Sequence, residues 1–111
     1  MKYGYARVST IGQDLSSQID TLKKEGCEKI YQDKMTGTKK ERPQFKQLLN
    51  VLNKGDTLVV TKLDRFARST KEGIEIIQDL FKRGISVHVL NMGLVEDTPT
   101  GRLILSIMLA F

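Results

Sequence analysis

Four side chains in this sequence have the types and spacing to handle a phosphate. "YARVST", from Tyr5, starts as a strand and puts Arg7 and Ser9 two residues apart. In a strand, residues two apart share a face, so a guanidinium and a hydroxyl point the same way near the carboxyl end of the first strand. "TLVVTK", from Thr57, runs into "LDRFARS", which holds Asp64, Arg65 and Arg68. If those two strands are neighbours, one serine and three arginines converge. Such a cluster suits phosphoryl transfer, because the charge of a pentacoordinate phosphorus is spread over several oxygens and is matched by planar donors that stay protonated. Serine would attack and form a covalent phosphoserine that stores the broken phosphodiester for rejoining, without ATP. Asp64 would orient an arginine or accept a proton, a task for which arginine is a poor base.

Plainer readings of the same residues stand beside this one. "ST" after a strand also serves as a turn or helix cap, Arg65 and Arg68 could form a solvated basic helix face, and Asp64 could be a turn residue. Tyr3 and Tyr5 share the face of Arg7, which raises a tyrosine nucleophile, although tyrosines inside strands are usually packing. His88 in "SVHVL" lacks a second histidine or a cysteine partner, so it reads as a packed imidazole and no metal site is expected. Neither G-x-x-x-x-G-K nor G-x-G-x-x-G occurs, which disfavours a nucleotide-hydrolysing machine.

The elements that must position these residues alternate. Lys2 to Val8 reads as a strand. Asp14 to Glu25 carries Leu15, Ile19 and Leu22 at helical spacing, with Asp14 as N-cap and Gly26 as stop. Lys29 to Gln32 reads as a short strand, followed by a polar loop, "DKMTGTKKER". Pro43 opens a second helix with Phe45, Leu48, Leu49 and Leu52 on one side, closed by Gly55. After the strand from Thr57, Ser69 and Glu72 form a capping box for a helix bearing Ile74, Ile77, Leu80 and Phe81, which Gly84 ends. "ISVHVL" from Ile85 is a further strand. The alternation predicts a three-layer, doubly wound, mostly parallel α/β sheet of order 2-1-3-4, with room for a short edge strand. In such a sheet ligands bind outside the carboxyl ends of the strands, where the strand order reverses. Thr98 and Pro99 then open a last helix that is apolar nearly all round from Leu103 to Phe111, so burial on more than one side is expected. It ends in mid-pattern, and the expectation is a helix that continues and meets a partner.

Composition sets outer bounds. The chain has 111 residues, enough for one domain with a core of its own. Hydrophobic residues make up 40% and charged residues 28%, an ordinary globular balance rather than a disordered one. The net charge of +5, from 18 Lys and Arg against 13 Asp and Glu, favours phosphate-bearing partners. The single cysteine, Cys27, forms no intrachain disulfide and reads as a small buried residue in a reducing cytoplasm. No signal peptide opens the chain and no apolar stretch is long enough to span a bilayer, so a cytoplasmic protein without membrane attachment is expected.

Four blocks, "YARVSTIGQDLSSQ", "DKMTGTKKERPQF", "LVVTKLDRFARS" and "GLVEDTPTGRL", together resemble the serine recombinases of the resolvase and invertase type. They run in order over nearly the whole chain. The resemblance implies a catalytic domain that cuts DNA at a recombination site, attaches 5′ phosphates to serines, rotates and rejoins. It implies Ser9 as nucleophile, Arg7, Arg65 and Arg68 as the phosphate clamp, and Asp64 as orienting acid. Gln18 and Arg42 fall where the family keeps further active-site polar groups, although a helix glutamine and an arginine beside a helix start have plainer readings. It further implies no cofactor, no metal in the chemistry, and homodimers that pair into a tetramer on DNA.

Against the family pattern, residues 1–111 read as the catalytic domain with its dimer-interface helix barely begun and a DNA-binding domain absent. The few residues ahead of the nucleophile motif leave no room for an N-terminal one, which sets aside the transposase subgroup that carries it there. The expectation is a piece that folds but neither finds a site nor recombines alone. The competing readings are a flavodoxin-like or receiver-like signalling domain, which would want acidic residues where Arg7 and Ser9 stand, and a non-catalytic basic α/β module that touches nucleic acid.

Overall fold

The structure, a computed structural model, describes residues 1–8, 15–34, 42–62, 70–90, 93–95, 99–101, 103 and 107. Five strands, β1 (Lys2–Val8), β2 (Lys29–Lys34), β3 (Thr57–Val60), β4 (Ser86–Val89) and β5 (Gly93–Val95), form one sheet in the order β2-β1-β3-β4-β5. The first four are parallel, and β5 is an antiparallel edge on β4, with Val87 opposite Val95. The predicted order and the short edge strand are both present.

Alternate residues of the central strands face opposite layers, because the side-chain period of a strand is two. Tyr3, Tyr5, Leu58, Val60, Val87 and Val89 bury one face against α2 (Pro43–Val51) and α3 (Thr70–Lys82), through Phe45, Leu48, Ile74, Ile77, Leu80 and Phe81. Ala6 and Val59 face the other way, onto Leu22 of α1 (Leu15–Lys24). The crossover from β1 to β2 and the crossovers leading to β3 and β4 run in opposite directions along the sheet and use opposite faces. All of them therefore share one hand, as parallel connections do. The packing of α1 is close: a Cβ on Gly4 would lie 3.1 Å from Leu22 Cδ1 and 3.2 Å from Cys27 Sγ.

Two helices stop as the sequence predicts. Gly26 (φ 86°) and Gly84 (φ 76°) lie in the left-handed region. Gly26 and Cys27 donate to Lys23 and Leu22 carbonyls, and Gly84 and Ile85 donate to Phe81 and Leu80 carbonyls. Both pairs make the double closing bond that left-handed glycine permits.

Other boundaries differ from the sequence reading. β2 continues through Asp33 and Lys34, residues assigned above to a loop, because its ladder with β1 runs to Val8 opposite Lys34 and the Asp33 carboxylate is satisfied inside the protein. α2 does not run to Gly55: Leu52 already has extended backbone (ψ 132°), and Gly55 (φ 93°) belongs to the next turn, where Asp56 N–H donates to Asn53 O. The carbonyls at the end of α2 are instead capped from a distance by Arg83, whose Nη2 reaches Leu49 O at 2.7 Å and Leu52 O at 2.9 Å. Cys27 is half-buried rather than enclosed, against Ala6, Leu22 and Val59. In the last helical segment Gly101 is buried, while Leu103 and Ile107 are 60% and 51% exposed. The caps assigned to Asp14, Ser69 and Thr98 lie outside the described residues. Among the described residues no helix is long and apolar enough to cross a membrane.

Candidate active site

The β1–β3 register ends at Gly4 opposite Val59, whereas the β1–β2 register continues to Val8 opposite Lys34. The strand order reverses between β1 and β3, so the two part at the position where ligands enter doubly wound sheets. Arg7 lies three residues beyond the last rung to β3, and Gln18 of α1 takes up its backbone. Arg7 N–H donates to Gln18 Oε1 at 3.2 Å, and Gln18 Nε2 donates to Arg7 O at 3.1 Å. The side-chain amide thus acts as a one-residue substitute strand. At 9% exposure Gln18 is a buried clamp on the tip of β1 and not an exposed helix residue.

Tyr5, two residues earlier on the face of Arg7, is fully buried, and its hydroxyl donates to Asp33 Oδ2 at 2.7 Å. Burial first, and then the Asp33 bond and charge, push the phenol above its usual range, against the opposing pull of Arg7 and Arg42. A phenol held protonated and committed to a carboxylate is a poor nucleophile, which argues against Tyr5 in that role. Asp33 is 5% exposed and also accepts from the first turn of α2, with Gln44 N–H on Oδ1 at 3.2 Å and Phe45 N–H on Oδ2 at 3.0 Å. It does the work of an N-cap from a neighbouring strand, while Arg42, at the cap position itself, makes no side-chain cap bond.

The guanidinium of Arg42 turns to α3 instead. Its Nη2 lies 2.6 Å from Glu72 Oε1, and its Cζ lies 5.2 Å from the Phe45 ring centroid. The Phe45 ring packs against Tyr5 with centroids 4.7 Å apart, so Arg42 lies one ring away from Tyr5, and Arg7 lies two residues further along β1. Of the residues singled out from sequence, Arg7, Gln18 and Arg42 are therefore in one region. Ser9, Asp64, Arg65 and Arg68 lie outside the described residues. The strands that lead to them, β1 and β3, are parallel neighbours whose carboxyl ends emerge at the same edge.

Sequence reasoning missed Asp33 and saw Glu72 only as half of a capping box. Asp33 stands opposite Arg7 in the β1–β2 register, a relation that no local pattern announces. His88 sits half-buried in β4 beside Leu94 of β5.

This sheet and site edge define the class by comparison with solved structures. The N-terminal catalytic domain of TP901-1 integrase superposes with a TM-score of 0.76 at 32% identity, over 98% of this chain and 91% of that one. A resolvase family site-specific recombinase from Streptococcus pneumoniae shares the fold at a TM-score of 0.76 and 23% identity, over 98% of this chain and 83% of that one. Residues 2–111 match the family described as "Resolvase, N terminal domain", and the chain belongs to that family.

Among relatives, the transposon Tn917 resolvase of Enterococcus faecalis is 46% identical over 97% of this chain and 59% of its own length. The DNA-invertase of Escherichia phage P1 is 43% identical over 97% of this chain and 58% of its own. The chain thus spans about three-fifths of the length of these curated relatives. Family membership favours recombination chemistry over the signalling-domain and binding-module readings.

Proposed function

We propose that this chain is the catalytic domain of a site-specific DNA recombinase that breaks and rejoins strands through a phosphoserine. Ser9 Oγ attacks the scissile phosphorus. The Oγ–P bond forms as the P–O3′ bond breaks, and the 3′ oxygen leaves as a hydroxyl with the proton that Ser9 gives up, passed on by a base, a task assigned here to Asp64. One phosphodiester is exchanged for another, so attack by a 3′ hydroxyl on the phosphoserine reverses the step and seals the exchanged strand without ATP.

Arg7, Arg42, Arg65 and Arg68 neutralise the non-bridging oxygens, and Asp64 also orients one of these guanidiniums. Gln18 acts earlier, by fixing the strand tip from which Ser9 follows. The observation that carries this reading is the held tip of β1: Arg7 is clamped by Gln18 at the parting of β1 and β3, with the Arg42 charge beside it.

The partners that follow are DNA at a crossover site and further copies of the chain, a homodimer pairing into a tetramer. The exposed Leu103 and Ile107 in the last helical segment support a partner there. Access to chromosomal or plasmid DNA places the protein in the cytoplasm.

The test uses the full-length protein in cells. Detergent-resistant protein–DNA adducts are recovered and the attached ends sequenced, which also locates the crossover site. Ser9→Ala is expected to abolish the adduct while DNA binding persists. An adduct that survives this substitution overturns the assignment of the nucleophile.

A further inference from the structure

Arg42 and Glu72 are 30 residues apart in sequence and join two different helices. Arg42 precedes α2 and Glu72 lies in the first turn of α3. Their 2.6 Å pair is short for a charge-assisted bond, and the side chains are 13% and 29% exposed. Such a pair is shielded enough to hold a geometry that a surface pair would not.

The reason to hold it is the arginine's freedom. A guanidinium on a long stem samples many rotamers, and a cation that must meet a phosphate reacts fastest when its position is set beforehand. Phe45 limits the guanidinium on one side, with its ring centroid 5.2 Å away. Glu72 ties it to α3, the helix that begins directly after the segment carrying Asp64, Arg65 and Arg68. Any shift of the α3 N-terminus therefore carries Arg42 with it.

We propose that Glu72 is a positioning residue for the strand-cleavage step: it sets where the Arg42 guanidinium stands when the DNA phosphate arrives, and couples that position to the start of α3. The proposal rests on the reading of Arg42 as a phosphate-handling group.

A carboxylate in the first turn also favours α3 through the helix dipole, so the test must separate that local effect from the pairing. Glu72→Gln keeps the shape and removes the charge. Glu72→Asp keeps the charge on the first turn but is one methylene too short for the same contact. The rate of covalent adduct formation by the full-length protein on its crossover-site DNA is measured for both, in wild-type and Arg42→Ala backgrounds, with melting curves to count folded protein.

Pairing predicts that each substitution slows adduct formation about tenfold in the wild type, within the usual coupling range for contacting charges, and less than about twofold once Arg42 is gone. A wild-type rate in Glu72→Gln overturns the proposal. So does an equal slowing in both backgrounds, or a wild-type rate in Glu72→Asp alone, since either makes Glu72 a helix-start residue. If Arg42→Ala itself reacts at the wild-type rate the proposal also falls, while loss of adduct in Ser9→Ala leaves the recombinase reading standing.

Discussion

The Tyr5 hydroxyl reaches across from β1 to donate to Asp33 on β2 at 2.7 Å, and neither group sees much water. The same carboxylate accepts from Gln44 and Phe45, so one buried side chain joins β1, β2 and the start of α2. Arg7 and Arg42 flank this junction, one on the strand and one at the helix cap. The carboxylate is thus an architectural tie at the end of the sheet where Arg7 and Arg42 lie.

Removing either partner of this tie should differ in cost. Tyr5→Phe leaves Asp33 with two backbone donors and should lose about 1 kcal/mol, the net worth of one hydrogen bond. Asp33→Ala strands the phenol and two helix-start N–H groups in the interior and should lose about 3 kcal/mol or more. Urea denaturation of the two variants checks the order, and equal losses would contradict the shared-acceptor geometry.

The Tyr5 phenol also predicts an alkaline limit. Its folded-state pKa lies above that of the unfolded chain, about 10 for a free tyrosine, so its contribution to stability is complete below that pH. As pH rises past about 10 the unfolded chain releases a proton that the folded one keeps, and stability falls. Denaturation midpoints between pH 8 and 11 should decline less steeply in Tyr5→Phe than in the wild type. Identical slopes would count against the raised pKa.

Gln18→Ala removes both partners of the Arg7 backbone at a partly buried site and should cost about 2 kcal/mol, two hydrogen bonds at roughly 1 each. Because the strand tip loses its clamp, adduct formation should slow by more than the folded fraction explains, by about tenfold. A rate that simply tracks the folded fraction would reduce Gln18 to a packing residue.

Arg83→Ala supplies the contrasting case. It leaves Leu49 O and Leu52 O at the end of α2 without their guanidinium and should cost about 2 kcal/mol, typical of hydrogen bonds to a charged donor. Arg83 lies at the far end of α2 from the site, next to the Gly84 stop. Below the melting transition the variant should therefore form adduct at the wild-type rate, and a slowed reaction there would show that the two ends of α2 are coupled.

Much of the fold could be read locally. Periodicity placed Leu22, Phe45, Leu48, Ile77 and Leu80 in the core, and the glycine stops at Gly26 and Gly84 follow from a backbone conformation that other residues avoid. The alternation of strands and helices carried the layer order, and Arg7 and Ser9 stood out because a strand has only two faces. Local reading failed where a polar residue is satisfied from far away. Asp33 looked like loop because aspartate is rare in strands, and Gly55 looked like a stop because glycine commonly follows a helix end.

The sequence by itself determined which segments become strands and helices, which faces are apolar, and that arginines and a serine follow the first and third strands. Those properties depend on neighbours within a few residues along the chain. Only the tertiary structure decided that β1 and β3 part after Gly4, that Gln18 fills the gap at Arg7, and that Asp33 and Glu72 are the anions beside Tyr5 and Arg42. A buried polar group must find its partner wherever folding brings one, and that distance in space leaves no trace in spacing along the chain.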